Sequence, residues 1–165
     1  MKKLLLFFIF IYIYGCTDLF TQNKEITYIE CPKVFFSSEN NVYSSGKNEN
    51  FDLDQFNYKA SLNNYGFVDN CSSDLEYNKY NVDLLILVEP LNPKDENINM
   101  PIFVFLYNSN DELIDKQYFR VSSNLNYEDK SYKFITTEVI KKLNILIEVE
   151  EKAEYMTIGF VKIKY

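Results

Sequence analysis

Past its first fifteen residues the chain settles into a rhythm of apolar runs, seven to thirteen residues long, each closed by a polar cluster. The runs occupy residues 27–37, 56–68, 81–91, 101–107, 113–121, 132–139, 143–149 and 155–165. They are rich in Tyr, Phe, Ile and Val, whose branched or planar side chains suit a pleated surface. Between them stand Asn40-Asn41, Ser45-Gly46-Lys47-Asn48, Asn92-Pro93-Lys94-Asp95 and Asn108-Ser109-Asn110-Asp111. Asn, Asp, Ser, Gly and Pro each bend a chain for their own reason, so these clusters read as turns and loops.

Within the runs the period is two. In the last, Met156, Ile158 and Phe160 share one face, with Tyr155, Thr157, Gly159, Val161 and Ile163 on the other. Both faces are partly apolar, as expected of a strand covered on one side and screened by aromatics on the other. Residues 84–88 and 102–107 are unbroken apolar stretches, which suit central strands in a packed core. Residues 107–113 read as a hairpin loop. Residues 136–143 offer a helix N-cap at Thr136 or Thr137, but strand, loop, strand is the preferred reading. Residues 39–55, the most polar stretch, read as one long loop. Seven or eight strands spaced by turns predict an all-β fold, an antiparallel β-sandwich of immunoglobulin-like type. The terminal position of residues 155–165 makes that run a candidate free edge for a partner strand.

The opening follows a different logic. Met1-Lys2-Lys3 is short and positive, and residues 4–14 are apolar and aromatic without a break. Eleven residues fall short of the roughly 20 that span a bilayer as a helix, and the arrangement is that of a secretory signal. Its last four residues, Ile13-Tyr14-Gly15-Cys16, resemble the lipobox of bacterial lipoproteins: aliphatic, variable, small, cysteine. Tyr14 is bulkier than the residue usual at its place. The resemblance implies that residues 1–15 are removed and that Cys16 carries a diacylglycerol. Two or more acyl chains anchor a protein stably where one does so marginally. Thr17 follows the cysteine where inner-membrane lipoproteins tend to have aspartate, so the resemblance further implies an outer-membrane location facing the periplasm. Residues 16–26 then form a lipidated tether and residues 27–165 a single domain.

Charge narrows the partners. Without Lys2 and Lys3 the chain has 15 basic against 24 acidic side chains, a net charge of −9. Such a surface repels phosphate backbones and disfavours nucleic acid. In an exported chain Cys31 and Cys71 form an even pair, and a disulfide between them is expected, with two buried thiols as the alternative. Cys31-Pro32, Cys71 and Ile158-Gly159-Phe160 together resemble a group of small alphaproteobacterial lipoproteins of unknown function. That likeness implies a fold and no mechanism.

Catalysis lacks its usual parts. The chain has no histidine, which removes Ser-His-Asp and Cys-His arrangements, histidine zinc sites and the commonest general base. Carboxylate pairs occur at Asp52 and Asp54, at Asp111 and Glu112, and at Glu148 with Glu150 and Glu151, in sequence where solvated charge is the ordinary explanation. A calcium site at residues 108–112 would have hard oxygen ligands, but the hairpin turn is the favoured reading. The expectation is a protein that is not an enzyme, with no cofactor and no metal. The mature chain keeps 23 Phe and Tyr residues, with Tyr43, Tyr58, Tyr65, Tyr77 and Tyr80 near the loops. Either they fill the core, or exposed ones anchor a partner or a ligand. Two function classes follow: an anchored protein that docks on an envelope partner, and a binder of sugar, peptide or cell-wall fragment. Replacement of Cys16 by Ser is expected to abolish incorporation of labelled fatty acid and to release the protein from the membrane fraction. Lipid labelling that survives Cys16→Ser would refute the anchor.

Overall fold

A computed structural model describes residues 26–46, 56–91, 97–125 and 136–162. These residues form ten strands, with no helix among them, in two sheets packed face to face. The strands are β1 (Thr27–Tyr28), β2 (Lys33–Phe36), β3 (Val42–Gly46), β4 (Phe56–Phe67), β5 (Ser72–Ser73), β6 (Tyr77–Pro90), β7 (Asn97–Tyr107), β8 (Leu113–Asn124), β9 (Thr137–Glu148) and β10 (Tyr155–Phe160). The predicted β-sandwich is therefore the fold.

Strand β6 organises the larger sheet. Its residues alternate strictly, with Asn78, Tyr80, Val82, Leu84, Ile86, Val88 and Pro90 buried and the intervening side chains turned outward. Along one edge it pairs with β9, from Tyr77 with Glu148 to Val88 with Thr137. Along the other it holds β4 at residues 82–90 and β5 at Lys79 and Asn78. β3 extends the sheet beyond β4, and β1 extends it beyond β5. The second sheet runs β2-β10-β7-β8. All pairs are antiparallel but one: β2 lies parallel to β10, because the chain leaves the first sheet after β1 and enters the second along the edge of its last strand.

The core is the space between the two sets of inward side chains. Leu84, Ile86, Leu143 and Ile145 from one sheet meet Met100, Ile102, Leu106, Met156, Ile158 and Phe160 from the other, all fully buried. Tyr58 reaches across with its hydroxyl satisfied: it donates to the Asn99 carbonyl at 3.0 Å and accepts from the Asn99 amide at 2.9 Å. A bulge in β4 between Leu62 and Asn64 inserts one residue, which restores Tyr65 and Phe67 to the inward side at the end of the sandwich.

Three expectations change. Residues 42–46, assigned to a loop, are β3, an edge strand on β4: Tyr43 turns inward opposite Ala60 and Ser44 stands outward opposite Lys59, where polarity carries no penalty. The rest of that predicted loop, residues 47–55, lies outside the described residues. Residues 137–148 are one continuous strand, neither helix nor strand, loop, strand, because Lys141-Lys142 sits opposite the Asp83 and Leu84 positions of β6 and keeps the ladder unbroken. The last strand is no free edge. β10 is paired on both sides, and the edges of its sheet are β2 and β8.

Cys31 and Cys71 are joined by a disulfide, with their Cα atoms 5.2 Å apart. It ties the crossing between the sheets to the residue before β5, and the Ile29 amide donates to the Cys71 carbonyl alongside it. With a sequence separation of 40 between the cysteines, its reduction is expected to lower stability by about 4 kcal/mol, read as the shift in urea unfolding with and without reductant. Gly159 carries a second constraint. A Cβ there would stand 2.5 Å from Phe103 Cζ, closer than real Cβ contacts come, and a tight 3.0 Å from Ser37 Cβ. Gly159→Ala is expected to cost about 1–3 kcal/mol by overpacking, and Phe103→Leu in the same chain should recover much of the loss.

Candidate functional site

The outer face of the four-stranded sheet differs from an ordinary solvated sheet face. Alternation along β7 turns Phe103, Phe105 and Tyr107 outward, opposite Gly159, Thr157 and Tyr155 of β10 and opposite Tyr118, Lys116 and Leu113 of β8. β2 adds Lys33 and Phe35 beside Tyr155 and Thr157. Six aromatic rings thus share one surface. Tyr107 and Tyr155 stack at 4.8 Å with an angle of 10° between their planes. Phe103 and Phe105 lie 4.4 Å apart. Phe35 meets Tyr155 edge-on at 5.8 Å, and Tyr118 meets Phe105 edge-on at 6.3 Å. Rings that pack edge to face present ridges and clefts, which receive protein side chains better than they stack under a flat sugar.

Exposure across this face is graded. Phe103 is buried over Gly159, Phe105, Tyr107 and Tyr155 are half-covered, and Phe35 and Tyr118 stand proud at 52% and 63% exposure. A cationic rim runs along β8. Lys116 Nζ lies 5.7 Å from the centre of the Phe105 ring, within cation–π range. Arg120, the only arginine in the chain, stands outward opposite Pro101. Among the described residues no carboxylate pairs with either, while Lys33 is 3.7 Å from Glu154. A chain of net charge −7 therefore carries a locally basic aromatic face. The Tyr155 hydroxyl donates to Asp111 Oδ1 at 3.1 Å. Desolvation by surrounding protein, then the hydrogen bond and the charge of that carboxylate, hold its pKa above the usual tyrosine value, so it remains a neutral donor.

The tyrosines singled out near the loops have other duties. Tyr58 and Tyr80 are core residues, and burial pushes the Tyr80 hydroxyl up, partly offset by a hydrogen bond with the Ala153 backbone. Tyr43 packs on Tyr58 and Phe160, and Tyr65 on Phe36 and Phe67. Tyr77 is exposed, at the start of β6. The platform rings were missed because an apolar run such as 102–107 reads as a strand buried on both faces. The signal was available in the period-two series Lys116, Tyr118, Arg120, which marks a neighbouring strand with an outward aromatic flanked by cations.

Residues 108–112 form the β7–β8 turn. Asn108 Oδ1 accepts from the amides of Asn110 and Glu112, its Nδ2 donates to Glu112 Oε2, and Asp111 takes the left-handed conformation at φ 62°. Asp52, Asp54 and Cys16 lie outside the described residues, and Glu148, Glu150 and Glu151 are exposed around the turn after β9. A depression of about 170 Å³ lies between Val68, Asn81 and Lys142, and one of about 20 Å³ beside Cys31 and Ala153. Both are below the roughly 300–1,000 Å³ of sites that enclose small molecules. No protein-family model matches the chain, and no curated protein or solved structure is similar to it.

Proposed function

We propose that this is a lipid-anchored protein of the bacterial cell envelope, held by acyl chains on Cys16, whose work is to bind a protein partner on the outer face of the β2-β10-β7-β8 sheet. The observation that carries the reading is the platform of Phe35, Phe105, Tyr107, Tyr118 and Tyr155 beside Lys116 and Arg120. Aromatic residues and arginine dominate the binding energy of protein interfaces, and depletion of other charge at the centre is their compositional mark. The cationic rim selects a partner segment with apolar and acidic side chains. Ridged rings favour it over an enclosed small ligand. The lipobox-like Ile13-Tyr14-Gly15-Cys16 supports export and anchoring, with the outer membrane facing the periplasm as the proposed location. The role is one of docking or assembly and not of catalysis.

A photocrosslinking residue at position 118 of the lipidated chain, in its own membranes, is expected to capture one defined envelope protein, and the same residue at position 42 on β3 is not. Tyr118→Ser and Arg120→Glu should each weaken retention of that partner by about thirtyfold, some 2 kcal/mol. The unfolding midpoint should stay where it is, because exposed substitutions of this kind shift stability by only about 0.5 kcal/mol. Equal retention by both variants and the parent chain would remove the platform from the interface.

A further inference from the structure

A second apolar surface lies at the opposite side of the molecule, where the chain from Cys16 arrives. Of the large apolar side chains that the described residues leave exposed, six gather at this corner: Ile26, Tyr28, Leu75, Tyr77, Leu146 and Val149. Their neighbourhood follows from the register. Tyr28 stands opposite Ser72, Ser72 opposite Lys79, and Lys79 opposite Leu146, so Tyr28 and Leu146 belong to one outward row across β1, β5, β6 and β9. Tyr77 lies on the same face opposite Glu148. Leu75 tips the β5–β6 turn, and the Val149 amide donates to the Glu76 carbonyl at 3.0 Å.

The corner is braced. Buried Asp74 accepts from the amides of Glu76 and Tyr77 at 2.9 and 2.8 Å and lies 2.6 Å from Lys79 Nζ, which holds the turn that presents Leu75. Buried Asn78 donates to the carbonyls of Val149 and Glu151, which holds the turn that presents Val149. Polar side chains buried in a small sandwich are thus spent on turns whose tips are apolar and exposed at 66% for Leu75, with Tyr28 beside them at 72%.

We propose that this corner rests on the bilayer that holds the anchor, with Tyr28, Leu75, Tyr77 and Val149 in its interfacial layer. The inference deepens the anchored reading and rests on it. Nine residues separate Cys16 from Ile26. Their reach is at most roughly 35 Å, shorter than the roughly 45 Å that the fourteen residues of β6 extend. The corner is therefore the part of the domain kept nearest the membrane. Tethering makes contact intramolecular, so a modest patch suffices. Tyrosine is at home in the interfacial layer, and exposed apolar patches of this kind mark contact with membrane or protein. Glu76, Glu148, Glu150 and Glu151 surround the patch, which selects a zwitterionic lipid surface over an anionic one. Contact through the β1-β5-β6-β9 face leaves the aromatic platform, on the other sheet, turned away from the lipid.

The chain has no tryptophan, so a single introduced one reports its own surroundings. Leu75→Trp, Tyr28→Trp and, as reference, Tyr118→Trp would be made in the full lipidated chain and reconstituted in phosphatidylcholine vesicles with bromine near the headgroup end of the acyl chains. Quenching is expected to be several-fold greater at positions 75 and 28 than at 118, and not to rise when anionic lipid is added. Equal quenching at all three positions overturns the proposal. So does protection of position 75 from a soluble quencher without lipid quenching, which would place protein there instead. Mass measurement of the same preparations reads the lipid on Cys16 separately. Lipid present without quenching at 75 refutes the corner alone, quenching without lipid refutes the anchor alone, and neither signal refutes both.

Discussion

Fourteen residues of β6 alternate between core and surface without a single break, and both edges of that strand are occupied. A strand paired on both sides has no freedom to slip, since a shift of one residue would carry Tyr80, Val82, Leu84, Ile86 and Val88 to the outside and Lys79, Asp83 and Glu89 into the core. Every other element is placed from it. β9 and β4 take their register along its edges, and β5 brings Cys71 to the point where the disulfide meets the crossing of the chain. The second sheet closes over the row of side chains that β6 and β9 present. Stability is thus concentrated in the layer between the sheets, and the two outer faces are left to other purposes.

Those outer faces are unlike each other. On the four-stranded sheet the outward rows carry rings that pack among themselves, with Gly159 absent of a side chain so that Phe103 can lie flat against the backbone. The ring of Phe103 packs against Phe105, and Tyr107 and Tyr155 stack on each other beside that pair. On the six-stranded sheet six exposed apolar residues gather at one corner, whose turns are held by Asp74 and Asn78 through hydrogen bonds to backbone. Neither surface contributes much to the core, and each keeps an arrangement that costs a soluble protein exposed apolar area. The proposed arrangement, an anchored domain with one corner toward lipid and the opposite sheet toward a partner, would account for both.

Much of the architecture was legible in the sequence, because hydrophobic period and turn chemistry are local properties. The runs at 101–107 and 113–121 fall inside β7 and β8, the run at 81–91 lies in β6 but for Leu91, and the alternation of Met156, Ile158 and Phe160 against Tyr155, Thr157 and Gly159 is the alternation of β10. The pair Cys31 and Cys71 was legible from parity and compartment. The errors have a common physical origin. β3 and β5 are short and polar, and are strands only because β4 and β6 offer them backbone partners. β9 absorbs two lysines without a break because its partner is already in place. The end of the chain looked like an edge, yet tertiary pairing put β2 alongside it.

The candidate surfaces divide in the same way. Which residues are apolar, that no histidine is present, that the chain is acidic with one arginine, and that it opens with a lipobox-like segment are properties of the sequence itself, because they need no partner in space. Which of the tyrosines are buried was decided by folding, since Tyr58 and Tyr80 differ from Tyr118 only in the direction the pleat turns them. Folding likewise gathered Phe35, Phe105, Tyr118 and Tyr155 from four strands onto one face, and Tyr28, Leu75 and Val149 from three segments onto one corner. A strand's two faces are equivalent in the sequence until a second sheet covers one of them, and that choice belongs to the tertiary structure.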